Sequence, residues 1–382
     1  MRIGIMSMQR VCNAGSFLQA YALKKIIESY GHEVIFIDYR IEKPIINNKR
    51  EWFIVQKKRL SNFFVSAISH VPFLKFCFPK SVKCVFQEEK KYKLACSQYL
   101  NISNKKTFSY QVDLLIIGSD EVFNFTQLNP IVGFSRELFG KNANAKVVAS
   151  YAASFGNTTL EKIKLLKKEE ELKELLKNLK IISVRDLNSK IIIQEIAKIE
   201  PVLHFDPVLI YDFSSDCINK CTEVNFILVY AYRNRLKETE KKYIVDIAKK
   251  EKKKIVTLGG FQNFGDLHVV VSPLEAIDYF KKADYVFTDT FHGTILSVIN
   301  ERQFQVFVRN SENNKYGNEE KLIFLLNNLG LESRILNVDD NFIETGLKKI
   351  DYKIVNNIIS REKQRTFDYI NELLNEVQKY DS

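Results

Sequence analysis

The stretch from Tyr285 to Asn300 holds the group best suited to moving a proton in this 382-residue chain. It reads as a short apolar strand, Tyr285 to Thr288, then a polar turn at Asp289 and Thr290, then a helix whose first turn carries His292, Gly293 and Thr294. Unpaired backbone N–H groups and the positive end of the helix dipole lie at such a turn, which makes it a seat for an anion. A histidine beside that seat can exchange a proton near neutral pH, its unperturbed pKa being about 6.5. The plainer reading is a histidine that caps its own helix. Two more residues stand where an apolar run turns polar: Asp120 closes Val112 to Ser119, and Arg185 closes Ile181 to Val184. A carboxylate there suits a base, and a guanidinium suits an anion. Arg185 has a surface ion pair with Asp186 as its alternative, but the end of a buried strand favours a substrate contact.

These residues need a parallel sheet to position them, and the chain supplies the pattern. Arg2 to Ser7 reads as a strand, Asn13-Ala-Gly15 as a turn, Ser16 to Tyr30 as an amphipathic helix and Val34 to Asp38 as a second strand. This βαβ opening implies a doubly wound α/β sheet with ligands at the carboxyl ends of its strands. The turn lacks GxGxxG, so no nicotinamide or flavin site is inferred. Strands follow at Val112 to Asp120 and Lys146 to Ala152, one charged outer helix from Thr159 to Leu179, and a strand around His204, which reads as structural. Alternation restarts at Asn225 and runs through strands at Lys254 to Leu258, near Val269, at Tyr285 and at Phe304 to Val308. Two α/β halves are expected, 1–212 and 223–345, facing a cleft, with a closing helix over 350–382 that packs back across both.

Composition bounds the remaining choices. At 46% hydrophobic residues the chain is a folding one, and its length suits two domains. The opening Met1 to Met6 reads as a strand and not as a signal peptide, and Leu60 to Leu74 is too short and polar to span a bilayer. Six cysteines without metal-ligand spacing read as reduced thiols of a cytosolic protein, and no metal site is expected. The net charge of +11 is concentrated between Lys49 and Lys93, where eleven basic residues meet three glutamates, alongside Trp52 and several phenylalanines. The segment 49–100 reads as an inserted helical subdomain with a solvated lysine face. Its sharper reading is a platform for anionic lipid at the inner face of the cell membrane, useful for a lipid-linked acceptor. No nucleic-acid-binding motif accompanies the charge, so a nucleic-acid partner is not expected.

In order, Asn13 to Leu23, Gly118-Ser-Asp-Glu-Val-Phe-Asn124, Ser150 to Gly156, Ile182-Ser-Val-Arg185, Phe205-Asp-Pro207 and Thr288-Asp-Thr-Phe-His-Gly-Thr294 together resemble the polysaccharide pyruvyl transferase family. Leu325 to Arg334 resembles its closing segment, so the likeness runs from residue 1 to about 336. The resemblance implies two Rossmann-like domains similar to those of GT-B glycosyltransferases. It also implies transfer of pyruvyl from phosphoenolpyruvate (PEP) to two hydroxyls of a sugar, with release of phosphate and no added cofactor. On that basis Arg185, Thr290, His292 and Gly293 are expected to hold PEP, with Arg309 or Lys321 adding charge. His292 is the expected acid and Asp120 the base or acceptor-positioning group, while Asn13, Gln19, Ser119 and Phe123 are expected on the acceptor side. The acceptor would be a sugar or a lipid-linked oligosaccharide of an exopolysaccharide precursor. Phe123 stands where the family usually has Trp, Thr290 where it commonly has Ser, and Lys321 where it often has Arg; lysine keeps charge but not a bidentate fork.

Two other readings compete. A GT-B-type glycosyltransferase would need a late carboxylate to grip a ribose, and Glu301, Glu312, Glu319 and Glu320 are the only residues near that place. A catalytically idle glycan-binding member is the other, against which the presence of Asp120, Arg185 and His292 speaks.

Overall fold

The alternation of strand and helix builds two all-parallel sheets in the computed structural model, which describes residues 1–45, 49–57, 60, 79–129, 132–216, 218–309, 319–336 and 349–381. The chain clusters into two units, one of 1–86, 93–207 and 362–382, the other of 87–92 and 208–361.

The first unit contains β1 (Arg2–Met6), β2 (Glu33–Phe36), β3 (Val112–Asp120), β4 (Ala145–Ala153), β5 (Ser183–Val184) and β6 (Val202–Leu203), ordered β2-β1-β3-β4-β5-β6. Every neighbouring pair is parallel. The strands are apolar on both faces, Ile3, Ile5 and Leu114 to Ile117 all being fully buried, as befits a sheet covered by helices on each side. Strand order reverses between β1 and β3, and such a switch point opens a crevice beyond the carboxyl ends.

The second unit contains β7 (Phe226–Ala231), β8 (Lys254–Gly259), β9 (Leu267–His268), β10 (Tyr285–Thr288) and β11 (Gln303–Val306), ordered β11-β10-β7-β8-β9. It too is wholly parallel, and its switch point falls between β7 and β10. Helix Pro273–Lys282 between β9 and β10 starts where its sequence says it should. Ser272 and Glu275 form a reciprocal capping box, with Pro273 in the first turn.

Three local expectations need correction. The first helix begins at Ala14 with Asn13 as its cap, so Gly15 belongs to the helix and not to a turn. The outer helix expected over Thr159 to Leu179 is two helices, Leu160–Leu165 and Glu169–Leu176, because Lys167 takes a left-handed φ of 54° that an α-helix cannot contain. The short strand near Val269 is Leu267–His268. Of the basic segment, 49–57 and Lys80–Leu100 are helical, and Trp52 and Phe53 are exposed edge to face at 5.1 Å. The rest of its apolar stretch, 61–78 with Cys77, lies outside the described residues, as do Cys217 and Glu312. Cys12, Cys84, Cys96 and Cys221 carry no disulfide. Among the described residues no helix is long and apolar enough to cross a membrane, and no three potential metal ligands gather.

The last helix, Tyr352–Asp381, is divided between the units after Arg361. In the first unit its Tyr369, Ile370, Leu373, Leu374 and Val377 are buried.

Candidate active site

At the switch point of the first sheet the chain collects buried polar groups. Gly118 has φ 128°, and a Cβ there would lie 2.1 Å from the Tyr151 carbonyl oxygen, so only glycine fits. Asp120 closes β3 with φ 85°, a conformation rare for a residue with a side chain. Its Oδ1 accepts from the Glu121 backbone N–H at 2.9 Å and from Arg185 Nη2 at 3.0 Å, and its Oδ2 accepts from the Ser16 hydroxyl at 2.9 Å. Arg185 Nη1 donates to Asp206 Oδ2 at 2.5 Å, and the Ser119 hydroxyl donates to the same oxygen at 3.2 Å. Gln19 donates to Ser7 Oγ and to the Ser16 carbonyl, and the Ser7 hydroxyl donates to the Ser119 carbonyl, which ties β1 to β3 across the switch.

This arrangement settles where the expected residues stand. Arg185 is only 4% exposed, and its two terminal nitrogens meet Asp120 and Asp206. Burial alone would lower its pKa, but Asp120, Asp206, Glu121 and Asp186 hold it above the ordinary value. Asp186 caps helix Leu187–Ala197 by accepting from the Ser189 N–H, so the weighed surface pair does not form. Phe123 is fully buried and stacked on Phe139 at 4.8 Å. Gln19 and Ser119 are wholly buried members of the polar network, and Asn13 caps its helix through the Gly15 N–H at 2.8 Å. His204 is structural as expected: its Nδ1 pairs with the Ser183 hydroxyl at 2.8 Å, and burial with nearby Arg365 lowers its pKa to about 4.

In the second sheet β10 turns into helix Phe291–Ile299 as the sequence implied. Thr290 caps it, its Oγ1 accepting from the Gly293 N–H at 2.9 Å, while Thr294 back-bonds to the Thr290 carbonyl at 3.0 Å. Gly293 is needed for space, since a Cβ would come within 2.2 Å of Thr288 Oγ1 and 2.7 Å of Tyr230 Cδ1. His292 is half-buried in that first turn, edge-on to Phe291 at 5.4 Å, and the Lys321 ammonium lies 5.9 Å from the same Phe291 ring. Thr290, His292 and Gly293 thus share one helix start, and Lys321 lies near its Phe291 ring. Arg309 is otherwise engaged, its two terminal nitrogens clamping Glu240 at 2.8 and 2.6 Å.

Several residues at these edges were not singled out in the sequence. Asp206, Ser16 and Ser7 complete the first network; Asp206 sat inside the Phe205-Asp-Pro207 motif, and a carboxylate just after β6 was the signal available. Asp289, fully buried, accepts from the Tyr232 N–H at 3.1 Å and pairs with Arg235 at 3.0 Å, joining β7 to β10 across the second switch point. Burial raises its pKa against the opposing pull of Arg235, the Tyr232 N–H and Arg309.

Two parallel α/β units with polar groups at their switch points define a two-unit, Rossmann-like α/β protein. The chain belongs to the polysaccharide pyruvyl transferase family, which it matches over residues 13–311. Membership makes it a transferase acting on polysaccharide. No curated protein matches it significantly. Among solved structures it is similar to S. aureus MnaA with UDP, at 10% identity and TM-score 0.48, covering 98% of this chain and 97% of that one. A putative UDP-N-acetylglucosamine 2-epimerase from Listeria monocytogenes matches at 11% identity and 0.48, with the same coverage. Spinosyn rhamnosyltransferase SpnG with its aglycone matches at 11% and 0.38, covering 100% and 97%.

Proposed function

We propose that the protein transfers the pyruvyl group of PEP to two hydroxyls of one sugar, in a cell-surface or exopolysaccharide precursor. The first hydroxyl adds to C2 of PEP while the methylene carbon takes a proton and becomes methyl. The second hydroxyl then displaces phosphate from C2, its proton leaving with the phosphate, and a cyclic ketal remains. Two C–O bonds form, one breaks, and the protons balance without a redox step.

His292 is the acid toward the methylene carbon, and Asp120 accepts from the attacking hydroxyl. The PEP anion rests against the first turn of helix Phe291–Ile299, with Lys321 as the added charge. The observation that carries this reading is His292 standing partly buried in that turn, within a chain that belongs to the family. Arg309 is left out as a donor ligand because Glu240 occupies both arms of its fork.

The first test is calorimetric titration with PEP, with UDP-sugars in parallel, followed by phosphate release in the presence of methyl glycosides. PEP should bind and UDP-sugars should not; the reverse result would establish a nucleotide-sugar transferase instead. His292→Asn should lower turnover by about 10²- to 10⁴-fold, the usual worth of a positioned acid, while thermal stability stays near wild type. A variant that fails to fold would return His292 to a structural role.

A further inference from the structure

The helix at 49–57 turns its aromatic residues outward, and it shares no residue with the pyruvyl-transfer reading. We propose that this helix is a docking surface for a bilayer rich in anionic lipid, with Trp52 and Phe53 entering the headgroup layer and Lys49, Arg50 and Lys57 meeting its phosphates.

The helix already has an inward side made of other residues. Val55 is buried, Glu51 and Ile54 are half-buried, and Glu51 acts electrostatically on Lys162 of the same unit. With successive residues turned by about 100°, these three lie on one side, and Trp52, Lys49, Phe53, Lys57 and Arg50 fall within an arc of about 160° on the other, together with half-buried Gln56. All five are exposed, Trp52 at 48% and Phe53 at 65%, and the two rings meet edge to face at 5.1 Å. A single exposed apolar residue is ordinary. A contiguous aromatic pair flanked by cations, on the side turned away from the core, marks a surface that is covered in use.

Charge selects what covers it. The outward arc carries three cations and no carboxylate, and the stretch from Lys49 to Lys93 holds eleven basic residues against three glutamates. A second copy docking symmetrically would bring the same cations against them and be repelled. A bilayer with anionic headgroups supplies the opposite charge, and its interface is where aromatic rings flanked by Lys and Arg come to rest. The nine residues of 49–57 rise only about 14 Å against about 30 Å of hydrocarbon, so the helix lies in the interface and does not cross it.

Trp52 is the only tryptophan in the chain, so its fluorescence reports on this surface alone. The full chain is titrated with vesicles of phosphatidylcholine, and with vesicles of phosphatidylcholine and phosphatidylglycerol in equal parts. Acidic vesicles should move the emission to shorter wavelength and shield Trp52 from acrylamide. Neutral vesicles should do neither, and added salt should reverse the effect. Lys49→Gln combined with Lys57→Gln should weaken binding about 25-fold, about fivefold for each charge removed. Phe53→Ser should weaken it as well, with thermal stability near wild type because the ring is exposed. Emission unchanged by acidic vesicles, an equal response to neutral ones, or wild-type binding by the double lysine variant would each overturn the proposal. Emission that shifts with protein concentration in the absence of lipid would overturn it in favour of a second copy. A Trp52 already shielded from acrylamide in buffer would overturn it too, since the ring would then be covered by the protein itself. If Phe53→Ser does not fold, the lysine variant decides alone.

Discussion

Truncating Arg185 to alanine would strand Asp120 and Asp206 in the interior without their cation. Breaking a buried ion pair from one side typically costs about 3–5 kcal/mol, and urea unfolding of Arg185→Ala should show a loss of that order. A loss under about 1 kcal/mol would mean that water reaches the trio freely. His204 makes a separate prediction. Above about pH 6.5 its ring is neutral in both folded and unfolded chains. Between about 6.5 and 4 the unfolded chain takes up a proton that the folded one resists, so stability falls as pH falls, by about 3 kcal/mol in full. His204→Phe keeps a ring between Tyr151 and Tyr369 but cannot titrate, so the stability gap between variant and wild type should shift in its favour from pH 7 to pH 4.5. An unchanged gap would show that His204 does not carry the acid sensitivity. At this scale the sequence revealed positions better than partners. Asp120, Arg185 and His292 were legible because each follows a buried strand, but a strand end does not say what the side chain meets. The carboxylates that Arg185 meets are not legible locally, because they lie 65 and 21 residues away. The direction of Phe123 is hidden for a related reason, since an aromatic beside a polar tip can turn inward, here onto Phe139 and Phe155.

The element that most rewards substitution is the turn from β10 into helix Phe291–Ile299. Gly293→Ala would drive a methyl toward Thr288, Thr290 and the Tyr230 ring at once. Overpacking of this kind costs about 1–3 kcal/mol, and because the turn must shift, PEP affinity should fall along with it. Thr290→Ala removes the cap and about 1 kcal/mol, whereas Thr290→Ser keeps a hydroxyl for the Gly293 N–H and should behave as wild type. Chemical denaturation and PEP titration of all three would check the ordering; a stable, PEP-binding Gly293→Ala would show that the turn yields without consequence. This element was readable in full, since Thr290 is a capping type, Gly293 is small and the flanking residues change period from strand to helix. The charged helix over Thr159 to Leu179 was not. Its break falls at Leu166-Lys167-Lys168, residues with good helix propensity, and nothing in their types marks the left-handed Lys167. Tertiary packing of Ile163, Leu172 and Leu176, all fully buried, outweighs that local preference.

At the scale of the molecule, the last stretch of chain completes the core of the first unit. Residues 362–382 belong with the sheet begun at Arg2, although β7 to β11 lie between them in sequence. The attachment is specific: the Tyr369 hydroxyl donates to the Ser150 carbonyl at 2.6 Å, Thr366 and Tyr151 share a hydrogen bond at 3.1 Å, and the Tyr30 hydroxyl donates to the Phe367 carbonyl at 3.1 Å. Burying Tyr369, Ile370, Leu373, Leu374 and Val377 contributes on the order of 10 kcal/mol, since each large apolar side chain contributes about 1.5–3. That equals the whole net stability of an ordinary domain, about 5–15 kcal/mol. A chain ending at Arg361 should therefore lose the first unit. Tyr151, whose hydroxyl also donates to the Phe205 carbonyl next to Asp206, would be uncovered, and the Asp120, Arg185 and Asp206 arrangement would go with it. Hydrogen exchange on the truncated protein should show amides of β3 and β4 exchanging freely while those of β7 and β10 stay protected. Protection of β3 and β4 equal to that in the full chain would mean the closing helix is an ornament on a sheet that is already stable. The amphipathic spacing of Tyr352 to Tyr380 implies a packed helix long enough to serve both halves, but one apolar stripe does not say which residues meet which sheet; the hydrogen bonds to Ser150, Tyr151 and Tyr30 are what assign its second part.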